Sequence, residues 1–256
     1  DGSADRLVFG KLISLAMLGV YNIGAMMASI SVQIVAVLSH SLFFPVLSRV
    51  HEENGQIATE YNLIRRPVVL ISGWSSALLI SGGQALMHTL YDERYAASGW
   101  IVQFLAAGLW FSSLSQMNHV ALPAMGDSRS CAVLNACKLV ALAAFIPAGW
   151  LLWEFPGAVA AISVAEVIRY LASTVAMKRH DVQVLGLDSR YTAFAIVTSV
   201  GGLSLSGWLQ HLSWPTPLIF IATATAVSIA WAPQLIPAAL QFYRKHQDER
   251  SAPASV

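Results

Sequence analysis

The sequence predicts an all-α, polytopic bundle of transmembrane helices with about seven crossings. Three observations predict it. Of 256 residues, 56% are hydrophobic and only 11% are charged, against roughly 25% charged in an average soluble domain. The apolar residues gather into runs of about 20 or more, the length that spans the hydrocarbon of a bilayer. The basic residues between these runs are unevenly shared between the two sides that alternate crossings would create.

A soluble chain of this length could not cover its surface with 15 basic and 14 acidic residues among so much Leu, Ala, Val and Ile. Lipid must therefore be the solvent for much of it. The formal net charge of +1 gives no reason to expect a nucleic-acid partner. Cys131 and Cys137, six positions apart with no histidine ligand pattern nearby, suggest neither a zinc site nor a disulfide framework and read as small buried residues. The opening residues Asp1, Asp5, Arg6 and Lys11 do not form a secretory leader.

In chain order the predicted crossings are Leu18–Leu47, Pro67–Tyr91, Gly99–Ala121, Cys131–Trp153, Pro156–Lys178, Tyr191–His211 and Trp214–Leu240. The first is long enough to tilt or project, and Pro45 is placed to bend or end it. The last holds Pro233 and Pro237, where a kink or a break is expected. Between the first two, "RVHEENGQIATEYNLIRR" (Arg49–Arg66) repeats Val50, Ile57, Tyr61 and Ile64 at helical spacing. It predicts an amphipathic helix lying on the inner leaflet, with a solvated loop as the alternative.

Ten basic residues, Arg49, Arg65, Arg66, Arg129, Lys178, Arg179, Arg190, Arg244, Lys245 and Arg250, fall on one side, and three, Arg6, Lys11 and Arg94, on the other. The positive-inside rule places the richer side in the cytoplasm, together with a polar tail at Gln241–Val256. The first crossing then runs inward, and Ala4–Phe9 reads as the outer end of a preceding helix.

Polar groups within the crossings carry whatever chemistry the chain performs, because a charged side chain at a helix centre costs about 3 kcal/mol in lipid. Glu166 and Arg169, three apart in the fifth crossing, share a helix face. Two roles are open to them: a self-neutralising clamp on a neighbouring helix, or a cavity in which Arg169 supplies positive charge and Glu166 tunes it. Lys138 either snorkels toward the inner headgroups or faces the same cavity. Gln33, Gln116 and Asn118 are candidates to hydrogen-bond a polar substrate, and equally candidates to bond helix to helix. His40 and His119 read as structural histidines. Gly82–Gly83 and Gly201–Gly202 allow close helix approach. No nucleotide-binding P-loop, zinc-protease motif or nucleophile elbow occurs in the sequence, so no metal, cofactor or enzymatic activity is expected.

Four short motifs then carry a resemblance. "DRLVFGKLISLAMLGVYNIG" supplies Asp5, Arg6, Leu7, Val8, Gly10, Leu18, Gly19 and Tyr21. "LFFPVLSRV" (Leu42–Val50), "LYDERYAASG" (Leu90–Gly99) and "AMGDSRS" (Ala124–Ser130) follow in order. Together they resemble the second half of Wzx/PST-type polysaccharide flippases of the multidrug/oligosaccharidyl-lipid/polysaccharide exporter superfamily, over about residues 4–180. Asp92 stands where that family usually has glycine.

The resemblance implies two helical lobes around a central cavity. Residues 1–10 would be the outer end of a truncated helix and 11–180 the C-terminal lobe. Residues 181–240 would be an extra transmembrane pair, and 241–256 a cytoplasmic tail. The implied cargo is an isoprenoid-diphosphate-linked oligosaccharide for O-antigen or exopolysaccharide synthesis, moved across the bacterial inner membrane by alternating access. The partners are membrane lipids and an N-terminal lobe of the same protein. The implied site comprises Arg169, Glu166, Lys138, Arg6, Asp5, Gln33, Gln116 and Asn118. The alternatives are an exporter of other cargo (a drug/cation antiporter or a peptidoglycan-precursor flippase) and a membrane-embedded glycan polymerase or acyltransferase. A cation antiporter favours cavity carboxylates over bases, and an enzyme would need a large exterior loop or a clustered acid–base site.

Overall fold

The computed structural model describes residues 13–52, 57–95 and 97–251. Within them six long helices follow one another: α1 (Leu15–Glu52), α2 (Ile57–Leu90), α3 (Ser98–Ala124), α4 (Ser128–Lys178), α5 (Leu185–His211) and α6 (Thr216–Ser251). A single 3₁₀ turn, Glu93–Tyr95, joins α2 to α3. All six are long and apolar enough to cross a bilayer. The protein is a multi-pass membrane protein.

Six helices make seven crossings because α4 is folded on itself. Trp153 (φ −140°, ψ 23°) and Glu154 (φ 53°, ψ −134°) leave helical geometry and reverse the chain. Gly149 and Gly157 then face each other so closely that a Cβ on either would collide with the other's carbonyl. The absence of side chains at both positions is what lets the two arms, 128–152 and 155–178, meet backbone to backbone.

α2 and α3 form the centre. α3 packs against α1, α2 and α4, while α2 packs against α1, α3, α5 and α6. Close approaches at small residues set these contacts: Gly108 lies on Ser163, Gly73 on the indole of Trp231, and Gly202 on Ser81. Three tryptophans on α2, α3 and α6 direct their indole N–H to hydroxyls on facing helices. Trp74 donates to Ser228 (3.1 Å), Trp110 to Thr192 (3.0 Å) and Trp231 to Thr198 (3.2 Å). Each bond satisfies a donor that lipid could not.

The two largest of four apolar clusters among the described residues lie toward opposite ends of the bundle. One gathers Phe43, Leu47, Tyr61, Leu70, Trp110, Met117 and Trp231, toward the end that carries most of the basic connections. The other gathers Tyr21, Ile101, Leu105, Phe155 and Val159, toward the hairpin tip of α4. There Tyr21 and Trp100 meet Phe155 edge-on at 6.2 and 5.8 Å between ring centroids.

Three expectations are corrected. The segment Arg49–Arg66 is not a separate surface helix: α1 runs on to Glu52 and α2 begins at Ile57, so its described residues extend two crossings. Pro45 does not end α1, and Pro233 and Pro237 do not break α6. Arg65, counted as a loop cation, is fully buried inside α2. Membrane helices tolerate proline where neighbouring groups resatisfy the backbone.

Candidate functional site

The hairpin decides the charge arrangement. Along one straight helix Lys138 and Glu166, 28 residues apart, would be separated by about 42 Å. Folded back, Lys138 Nζ lies 2.7 Å from Glu166 Oε1. Arg169, one turn beyond Glu166 on the same face, places Nη1 3.9 Å from the other oxygen, Oε2. One carboxylate therefore serves two cations, and the cluster carries a net charge of +1.

The cluster is deep. Lys138 is ten residues from the start of α4 and Arg169 nine from its end, which at the helical rise is about 14 Å along each arm, near the middle of a bilayer. Side-chain exposure is 4% for Glu166, 9% for Arg169 and 18% for Lys138, so the lysine is the group that meets the surroundings. Glu166 Oε2 and Arg169 Nε are buried with no hydrogen-bond partner. An ion cluster with unused donors and acceptors inside a membrane bundle is held at considerable cost, and such groups usually mark a function.

Gln116 is half-buried on α3, the helix against which α4 packs. On α1, which packs on the same helix, Gln33 is exposed and donates to Ser29 Oγ at 2.9 Å. His119 lies within electrostatic range of both His40 and Arg169. Asp5 and Arg6 lie outside the described residues.

Asn118 belongs elsewhere. It is fully buried. Its Oδ1 accepts from Tyr61 OH and Arg65 Nη1, and its Nδ2 donates to Ser173 Oγ at 2.8 Å. Arg65 Nη2 in turn donates to both oxygens of Asp188, at 2.9 and 2.7 Å, and Tyr170 OH donates to Asp188 Oδ2 at 2.8 Å. This network ties α2, α3, the second arm of α4 and α5 together at the basic end of the bundle. It engages both ends of the Asn118 amide in bonds to neighbouring helices.

Sequence reasoning missed the network. Arg65 stands just outside an apolar run and so reads as a loop cation, and Asp188 stands just before the sixth predicted crossing. The available signal was their sign: opposite charges at the same end of two crossings, with Tyr61 one turn before Arg65.

The connections at that end are also joined. Asp127 caps α4 by accepting from Ser130 N (3.1 Å) and Ser130 Oγ (2.6 Å), and it meets His180 Nε2 at 3.0 Å from the turn after α4. The serine hydroxyl, then the histidine, hold its carboxyl at about 2, below the usual 3.8.

Residues 2–99 match the family model described as "Polysaccharide biosynthesis protein". That stretch contains three of the four motifs, and the resemblance they carry is borne out. No curated protein sequence matches the chain. Among solved structures, the fold is similar to that of the lipid II flippase MurJ in its inward closed conformation, with a TM-score of 0.58 and 12% sequence identity over 89% of this chain. The chain spans about half the length of that protein, 52%.

Proposed function

We propose that this chain forms one lobe of a flippase that moves an isoprenoid-diphosphate-linked oligosaccharide across a bacterial inner membrane. The observation that carries the reading is the buried Lys138–Glu166–Arg169 cluster, with its excess positive charge at mid-membrane depth. A diphosphate and a hydrated glycan cannot enter hydrocarbon unaided. A path between two lobes supplies water and cations, and alternating exposure of that path to the two sides completes transfer. The family match over residues 2–99 and the flippase-like fold support the same reading.

In this reading Arg169 and Lys138 offset the diphosphate. Arg6 and Asp5, outside the described residues, are further candidates for the same role. Gln33 and Gln116 hydrogen-bond sugar hydroxyls. Residues 11–180 build the C-terminal lobe, 181–240 the extra pair and 241–256 a cytoplasmic tail, and a second lobe faces α1. The proposed activity is transport and needs no catalytic group.

Replacing Arg169 by Ala in the full-length protein tests the proposal. Glycan export should be lost while folded protein accumulates in the membrane at wild-type level. Normal export by that variant refutes the assignment. The fold shared with a protein named as a lipid II flippase favours one second reading, a peptidoglycan-precursor cargo. Proteoliposomes loaded with each class of lipid-linked sugar separate the two.

A further inference from the structure

Within the cluster, Glu166 occupies the position that an anionic ligand would take. Its Oε1 holds Lys138 at 2.7 Å, while Oε2 stands 3.9 Å from Arg169 and makes no hydrogen bond. Arg169 Nε is buried and unpartnered as well. The guanidinium is thus neutralised by proximity without being bonded at its fork, the geometry that binds phosphate oxygens bidentately. A structural clamp would place Glu166 on that fork. Here the strong bond goes to the lysine, the more exposed of the two cations.

From this geometry we infer that Glu166 is a resident counter-anion, displaced from Lys138 and Arg169 when a phosphoanion binds. The inference rests on the transport reading above and adds a specificity-determining residue to it. Empty, the site would bury two cations, and Glu166 lowers that cost. Occupied, a phosphate or diphosphate supplies the negative charge, and the carboxylate becomes a like charge beside it. Binding must then break the Lys138–Glu166 pair. Glu166 thereby weakens affinity and lets the anion leave, which transport requires as much as binding.

The shared ligand chemistry is a phosphate ester or anhydride, and it has two sources in a membrane: an isoprenyl diphosphate and a phospholipid headgroup. Binding to the purified full-length protein is measured with inorganic pyrophosphate, farnesyl diphosphate and phosphatidylglycerol as separate probes. Glu166→Gln keeps the shape and an acceptor for Lys138. It is expected to bind pyrophosphate and farnesyl diphosphate about tenfold tighter than wild type, since one close like-charge contact is removed. Its transport should slow, because release becomes harder. Equal or weaker binding by Glu166→Gln overturns the counter-anion role. If binding stays sensitive to Arg169→Gln in that case, the anion site itself stands. Pyrophosphate binding that ignores Arg169→Gln and Lys138→Met alike removes the transport reading of the cluster. Preference for phosphatidylglycerol over farnesyl diphosphate assigns the site to bilayer lipid, and that overturns the link to cargo. Should Glu166→Gln fail to fold, Lys138→Met/Glu166→Gln takes its place. The double variant keeps the net charge of +1 while removing the competing carboxylate. Tighter binding by the double variant than by Lys138→Met alone supports the role, and equal or weaker binding than that single variant overturns it.

Discussion

Arg65 Nη2 lies 2.9 and 2.7 Å from the two carboxylate oxygens of Asp188, and neither side chain is accessible beyond 1%. The two residues are 123 positions apart in sequence. Their pairing fixes the basic end of α2 to that of α5, and Tyr61, Asn118, Tyr170 and Ser173 complete the network around them. The cost of burying each charge is met only while the other is present.

Arg65→Met or Asp188→Leu alone leaves one uncompensated buried charge and is expected to destabilise the protein by about 3–5 kcal/mol. The double variant Arg65→Met/Asp188→Leu removes both charges and should recover most of that loss. Thermal unfolding of the four proteins in detergent measures the coupling. Additive losses, with no recovery in the double variant, would show that the pair is not a unit.

The hairpin of α4 depends on Gly149 and Gly157. Gly157→Val places a branched side chain where the opposing backbone lies. It should cost about 1–3 kcal/mol or more through overpacking. It should also separate Lys138 from Glu166, because both arms pivot on this contact. A cysteine pair engineered at 142 and 162, in a variant lacking Cys131 and Cys137, reports arm separation by cross-linking yield. Unchanged yield in the valine variant would contradict the account.

Glu154, at φ 53° and ψ −134°, adopts a backbone conformation that favours glycine. Glu154→Gly should therefore stabilise the protein by about 1 kcal/mol. The comparison is made by thermal unfolding, and a lower midpoint for the glycine variant counts against the turn geometry.

The carboxyl of Asp127 is held at about 2, below its usual 3.8, by Ser130 and His180. Its pKa is depressed on folding, so the stabilisation is present above pH 3.8 and is lost as the pH falls through about 2. Asp127→Asn should lag behind wild type in stability at pH 5, and the gap should close toward pH 2. Loss of the cap in Asp127→Ala should cost about 1 kcal/mol. A gap that does not change between pH 5 and pH 2 would exclude the charge as its cause.

Orientation is tested by labelling. Single cysteines at Asp92 and Asp181, in the same cysteine-free background, should react from the outside and from the cytoplasm respectively. The reverse pattern would invert the topology drawn from the basic connections.

The linear sequence determined how many times the chain can cross a bilayer and nearly where each crossing ends. Hydropathy and length are local properties, and lipid forces every such segment into a helix whatever its neighbours do. The turn near Glu154 was visible for the same reason, since one apolar stretch of that length had to contain two crossings. Glu166 and Arg169 were legible as a pair because three residues on a helix define one face. Tertiary structure alone decided which polar groups meet. Lys138 reaches Glu166 only because the arms fold together, and Arg65 left the expected surface segment for the interior only because Asp188 waits there from another helix. Those choices depend on the rotation and packing of whole helices, set by close contacts such as Gly149 against Gly157 and Gly108 against Ser163. A charge that ends an apolar run reads the same in one dimension whether it faces water or a buried partner, so its fate is settled only by what packs beside it.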